Sequence, residues 1–468
     1  MHADPAETHP PPGRPPLTPV AAAEQELSMS AIPTRASGIT RPGIPKKSGV
    51  VAMSLAAGLI GGSLTGCASD DSGPGAGQQE VTPTKIDGVL GKAVSGSAGS
   101  GKATGSPITL GLINQQGGPV SNPEFTVAAQ AAVGYLNAEL GGVGGHPLKL
   151  EVCNIVSAES QGQRCGQQML ANEEIKLIVQ GGLNVGTQSF HATLAGKKPD
   201  LIAVANPGPD VSAKNAYALN ASALAGKAST PIFLDTKLKA KTVAMIADDN
   251  PGNQEIAKSI KEGIEARGMT VKLTTYPAGS ADLMSPMTAV GAGDADVIMP
   301  IAVTPTACIA MAKAYEQSGI KIPLAASGLC ASGAVKKGLG DLPKWIFSGS
   351  LLNIHAPDPT GHVAFYRAVM GKYAPKGAEL GINAPAGFSA VLAAAKVLHA
   401  AGPDQLSVEK ISKAAKAYTG PLLMGPPKLK FGMNPQMPTL GAQSAHYYRY
   451  DGNGKWVDVS QGWINLPS

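Results

Sequence analysis

The chain has 468 residues, a formal net charge of +5, 43% hydrophobic residues and only 15% charged ones. That apolar share is enough to bury a sizeable core, and charges this sparse exclude a disordered or nucleic-acid-coating chain. No basic stripe marks a nucleic-acid partner, and the length suits two or three domains or one large two-lobed body.

In chain order, the first segment reads as an address rather than a fold. Residues 1–28, with Pro10-Pro11-Pro12 and Pro15-Pro16, do not look like the start of an export signal, which makes Met29 an alternative translation start to Met1. Arg35, Arg41, Lys46 and Lys47 then precede an apolar stretch from Val50 to Leu64. A basic region, a short apolar region and small residues at a processing site make a secretory signal. The apolar run is too short and too rich in Gly and Ser for a bilayer span of about 20 residues. Leu64-Thr65-Gly66-Cys67 resembles the bacterial lipobox. That resemblance implies lipidation of Cys67, loss of residues 1–66 and anchoring on the outer face of the cell membrane.

Residues 67–106 are mostly Gly, Ser, Ala, Asp and Thr, a composition that predicts a flexible tether. Within it, Gly96 to Lys102 has the glycine and lysine spacing of a phosphate-binding loop. Ala103 replaces the hydroxyl that would hold magnesium, and no apolar strand precedes the loop, so nucleotide binding is not expected there. The five cysteines are one isolated residue, Cys67, and two close couples, Cys153 with Cys165 and Cys308 with Cys330. In an exported chain this predicts two disulfides and one modified thiol. Four free thiols in a cytosolic protein is the alternative.

From Pro107 the pattern becomes regular. Ile108 to Ile113 reads as a strand, followed by a Gly-rich loop from Gln115 to Pro119. Ser121-Asn122-Pro123-Glu124 has the polar cap, first-turn proline and acidic group of a helix start. Phe125, Ala129, Ala132, Leu136 and Leu140 follow at helical spacing, and Gly141-Gly142 stops the helix. Further strands are expected at Leu148–Val152, Leu177–Val179, Leu201–Val204, Val243–Ile246 and Val297–Met299. Helices are expected at 254–267 and 306–319. Strands alternating with helices predict an α/β fold with mainly parallel sheets, whose ligands bind beyond the carboxyl ends of the strands.

This order of segments, above all Phe125 to Val152 with Tyr135-Leu136-Asn137-Ala138 and Gly141 to Gly145, resembles the type I periplasmic binding proteins. The branched-chain amino-acid-binding proteins of ABC transporters are the nearest group, and the likeness runs from about Ile108 to Val459. It implies two α/β lobes joined by three crossover strands. Lobe I is expected at 107–230 and 352–424, and lobe II at 231–351 and 425–468, ending in a hairpin at Tyr447–Val457. The crossovers are expected near Thr230-Pro231, Ser350-Leu351 and Pro426-Pro427. The implied function is capture of a small solute by lobe closure and delivery to an ABC permease, by a monomer that needs no cofactor or metal. A ligand sensor signalling to a membrane receptor, or a surface scaffold, is the alternative use of the same fold.

The post-strand loops supply the candidate ligand residues: Gln115, Gln116, Asn184, Thr187, Asn206 and Pro207 in lobe I, and Asp249, Asn250, Thr304, Ser327 and Asn353 in lobe II or at the crossovers. Family members that bind α-amino acids use a hydroxyl pair after the third strand, a second-lobe carboxylate for the ammonium and a second-lobe tyrosine. Here the serine pair is absent from Gly181 to Gln188, and no tyrosine follows Ile246 or Met299. A buried ammonium without a carboxylate costs several kcal/mol, so an amide or organic acid fits at least as well as an amino-acid-like solute, for which Asp248 or Asp249 on the neighbouring loop is the alternative carboxylate. No enzyme constellation is present. The eight histidines are scattered, and Gly387-Phe388-Ser389-Ala390-Val391 lacks the second glycine of a nucleophile elbow. It is expected on a buried helix whose core face is Val391, Ala394, Ala395 and Leu398.

Overall fold

The structure, a computed structural model, describes residues 86–465 apart from 119, 222, 303 and 382. The expected signal segment, Cys67 and the expected tether up to residue 85 lie outside the described residues.

The described chain opens with α1 (Gly88–Ser95), inside the stretch expected to be flexible. Asp87 caps it, accepting from the N–H groups of Val89 and Leu90, and Gly96 ends it in the left-handed conformation. A Cβ on Gly91 would lie 2.1 Å from the Tyr135 hydroxyl, so here a glycine permits close packing rather than disorder. Val94, Ser97 and Ala103 are buried, and Gly101 bridges to Leu140. The tether expectation therefore fails from residue 86 onward. Sparse apolar residues suffice where a neighbouring helix supplies the rest of the contact.

Lobe I then runs β1 (Ile108–Gln115), α2 (Pro123–Glu139), β2 (Leu148–Ile155), α3 (Glu159–Ala171), β3 (Ile175–Gln180), α4 (Thr187–Leu194), β4 (Asp200–Ile202) and β5 (Ala216–Ala218). The sheet order is β2-β1-β3-β4-β5 and every pairing is parallel, so all carboxyl ends share one edge. Lobe II follows with α5 (Ala223–Phe233), β6 (Thr242–Asp248), α6 (Pro251–Glu265), β7 (Thr270–Tyr276), α7 (Met284–Ala289), β8 (Val297–Ile301), α8 (Pro305–Ser318), β9 (Ala325–Ser327), α9 (Gly333–Leu339) and β10 (Ile346–Gly349). The parallel strands β7-β6-β8 continue through a bridge between Ile298 and Leu324 to β9 and β10. The chain returns to lobe I for α10 (His362–Tyr373), α11 (Ala384–Ala401) and α12 (Val408–Lys416). It closes lobe II with β11 (His446–Gly452) and β12 (Lys455–Asp458), paired antiparallel around Asn453-Gly454, both at positive φ as a tight hairpin turn requires.

One apolar cluster packs α2, α10, α11 and α12 on β1, β3 and β4. Val391, Ala394, Ala395 and Leu398 are buried in α11 as expected, and Ser389 Oγ lies within hydrogen-bond distance of the Pro385 and Leu423 carbonyls. Two expected boundaries move. Thr230-Pro231 lies inside α5, where Pro231 packs beside Gly263 of α6, so the first passage between lobes comes earlier, after β5. Residues beyond Pro426-Pro427 stay with lobe I: Leu429 and Phe431 pack on its core, and the Ala218 N–H donates to the Thr439 carbonyl. At Pro231 the helix absorbs the proline.

Both cysteine couples are disulfides, Cys153–Cys165 joining β2 to α3 and Cys308–Cys330 joining α8 to the turn after β9. The second closes a loop with a sequence separation of 22 residues. Replacing Cys308 and Cys330 together by alanine is expected to cost about 3 kcal/mol through loop entropy in the unfolded chain. Urea midpoints of the two proteins check this.

Candidate functional site

The loops that follow β1, β3 and β4 meet at the carboxyl edge of the lobe I sheet. Gln115 ends β1, is buried, and accepts the Asn184 N–H at 2.7 Å through Oε1. Asn206, after β4, donates from Nδ2 to the Leu183 carbonyl at 2.8 Å. Gln115, Asn184 and Asn206 are thus joined into one surface. Gln116 lies beside them, its Oε1 accepting from the Thr126 hydroxyl at 3.1 Å. Thr187 opens α4 directly after Gly186, whose φ of 85° sets the turn. Pro207 is exposed on the same loop as Asn206.

In lobe II the expected residues are less united. Ser327 donates to the Ala302 carbonyl at 3.4 Å, near Thr304, which caps α8 by accepting the Ala307 N–H. Asn353 Oδ1 accepts the His355 N–H, and the Asn353 backbone hydrogen-bonds the Tyr448 hydroxyl. Asp249 turns toward the β7 side, accepting the Ala278 N–H at 2.8 Å. Asp248 is buried and takes Asn253 Nδ2 at 2.7 Å and the Asn250 N–H at 3.1 Å. Two surface hollows, of about 490 and 330 Å³, lie on the flanks of lobe II, one between α6 and β7 and one between α7 and α8.

The sequence profile described as Periplasmic binding protein matches residues 107–437. The chain belongs to the periplasmic binding proteins. No curated protein matches it. Solved structures of this fold include a leucine-binding protein from Thermotoga maritima, 15% identical with a TM-score of 0.60, covering 76% of this chain and 99% of that one. A branched-chain amino acid transporter substrate-binding protein from Streptococcus pneumoniae, in complex with isoleucine, is 16% identical with a TM-score of 0.60, covering 77% and 99%. A solute-binding protein of an ABC transporter from R. palustris, in complex with 4-hydroxybenzoate, is 18% identical with a TM-score of 0.60, covering 77% and 98%.

Beneath the lobe I loops this periplasmic binding protein holds a polar cluster that scattered sequence positions gave little sign of. Asp210 is buried, and its Oδ1 accepts from Gln180 Nε2 and His191 Nε2, each at 2.9 Å. Its Oδ2 accepts the Asn206 N–H at 3.0 Å. Burial alone would push the His191 imidazole down, but the hydrogen bond to Asp210 and the charges of Asp200 and Asp210 carry it above its ordinary value. Asp200 is fully buried with no hydrogen-bond partner for either oxygen among the described residues. Burial pushes its carboxyl up to about 7; His191 opposes the shift and Asp210 adds to it. Thr187 and His191 are four residues apart on α4, a spacing that puts both on one helix face. That was the one available sequence signal.

At the start of α4 the Glu159 carboxylate accepts the N–H groups of Gly186 and Ser189, both at 2.7 Å. Burial pushes Glu159 up, and these hydrogen bonds more than reverse it, holding the carboxyl below its usual range. The protein therefore fills this helix N-terminus with its own anion.

Proposed function

We propose that this chain is the solute-binding lipoprotein of an ABC importer, exported, lipidated at Cys67 and closing its lobes on a small polar organic solute that lacks an ammonium group. No catalytic step is part of the reading. The observation that carries it is the joined surface of Gln115, Asn184 and Asn206 at the carboxyl edge of a parallel sheet, where open α/β sheets take their ligands. With its Oε1 engaged, the Gln115 amide presents N–H donors to a guest. The guest bridges to Thr304, Ser327 and Asn353, and shifts the population toward the closed form.

What the acidic residues already do supports a guest without an ammonium. Asp248 caps its own loop and Asp249 holds the Ala278 N–H. A zwitterion would meet no dedicated carboxylate there, whereas a neutral amide or an aromatic acid needs none. The R. palustris relative solved with 4-hydroxybenzoate shows that this fold accommodates such a guest.

The test is a thermal-shift panel of 4-hydroxybenzoate, benzamide, isoleucine and leucine. A ligand present at a hundred times its dissociation constant adds about 2.7 kcal/mol, or about 3 °C for a body of this size. An acid or amide should give that shift while the amino acids give less; a larger shift with isoleucine would overturn the assignment. Gln115→Ala should then weaken the bound solute about tenfold, measured by calorimetry, through loss of one hydrogen bond and of the support under Asn184.

A further inference from the structure

Asp210 stands where four separate pieces of chain meet. Gln180 is the last residue of β3, directly before the loop that carries Asn184. His191 belongs to α4, directly after that loop, and Asn206 belongs to the loop after β4. All three donate to the same buried carboxylate, at 2.9, 2.9 and 3.0 Å. The fourth piece is the passage toward lobe II: Thr439 Oγ1 donates to the Asp210 carbonyl at 2.8 Å, and the Thr439 carbonyl accepts the Ala218 N–H at 2.8 Å. Asp210 thus touches both ends of one post-strand loop, the start of another, and a connection between the lobes.

We propose that Asp210 is a positioning residue that fixes the shape of the two lobe I binding loops and ties that shape to the passage between the lobes. The role rests on the reading of those loops as the solute site. Three hydrogen bonds to one ionised, buried acceptor are each stronger than neutral ones, and losing the charge weakens all three together. The loops then open without any change in the residues that face the solute. His191 makes the clamp responsive to pH. The imidazolium donates a charge-assisted bond to Asp210, and that bond weakens as the proton leaves. The ionisable groups acting on His191 are Asp210 on the turn after β4 and Asp200 on β4. Glu159 of α3, packed against α4, is engaged at the other end of that helix.

Hydrogen exchange of the purified full chain, read by mass spectrometry and corrected for intrinsic rates, tests this with Asp210→Asn. Peptides covering 180–187, 204–210 and 437–441 should exchange at least about tenfold faster, while those covering β6 stay unchanged. In the wild type their protection should fall as pH rises through the His191 titration, and in D210N the fall should be smaller, only the contribution of Asp200 on β4 remaining. Unchanged rates, or equal acceleration in both lobes, would overturn the proposal. If D210N does not fold, His191→Gln carries the test, with the same peptides accelerated and the pH response reduced to that of Asp200; no change or a uniform change overturns it there too. Where 4-hydroxybenzoate or benzamide binds, D210N should weaken it about tenfold, and unchanged affinity with loosened loops also defeats the proposal. If no panel solute binds the wild type, the solute reading fails by itself and exchange alone decides the role of Asp210.

Discussion

Gly162→Ala should destabilise the protein by about 2 kcal/mol and weaken solute binding at the same time. Gly162 lies in α3, where alanine would ordinarily stabilise a helix by about 1 kcal/mol. Its Cβ, however, would fall 1.9 Å from the Gly186 carbonyl oxygen and 2.6 Å from Ser189 Oγ. The first of these is backbone and cannot rotate away, so the start of α4 must move. Overpacking of this kind costs about 1–3 kcal/mol, occasionally more, which outweighs the propensity gain. The movement falls on the turn between Asn184 and Thr187, and it also disturbs the Glu159 bonds to Gly186 and Ser189. Denaturant melts should show the lower midpoint, and calorimetry should show weaker binding by the folded protein. A variant as stable as wild type with unchanged affinity would mean that α3 and α4 are less closely packed than described.

Asp200→Asn should gain stability relative to wild type as pH rises from 5 to 8, by on the order of 3 kcal/mol. The sign follows from the direction of the shift. Burial raises the folded carboxyl from its ordinary value of 3.8 to about 7, so the folded state holds the proton more tightly. Stability from this group is complete below the unfolded pKa and is lost as pH climbs toward the folded value. Three units correspond to about 4 kcal/mol as an upper bound. His191, also raised, acts in the same direction. His355, His362, His399 and His446 are all pushed down, chiefly by burial, and so favour folding as pH rises. The wild-type profile therefore mixes opposing contributions, and the difference between the two proteins is the quantity to measure. Glu139, Glu159, Asp296, Asp341 and Asp451 are held low by their partners, and their contributions change only below this window. Urea midpoints at pH 5 and pH 8 give the difference. An equal D200N effect at both values would show that Asp200 does not titrate between them.

Local chemistry made the lobes readable in the sequence. The strand at Ile108–Ile113 and the proline-led helix after Asn122 appear as β1 and α2, because alternation, caps and turn residues act over a few residues. The hairpin at Tyr447–Val457 followed from Asp451-Gly452-Asn453-Gly454 in the same way. What was not readable depends on distant partners. Gly91 and its neighbours looked like linker because Tyr135, which they pack against, is remote in sequence. Asp210 carries no local signal: its partner Gln180 is 30 positions away and Thr439 is 229. The candidate loops were located because strand ends can be inferred. Which of their side chains face a guest depends on bonds such as Gln115 to Asn184, 69 positions apart.

Small-angle X-ray scattering, recorded with and without the panel solute that gives the largest thermal shift, tests the central claim most directly. Closure of two lobes on one bound molecule predicts a smaller radius of gyration at saturation, reached at one solute per chain. An unchanged scattering curve at saturation, or no solute that stabilises the protein at all, would contradict it.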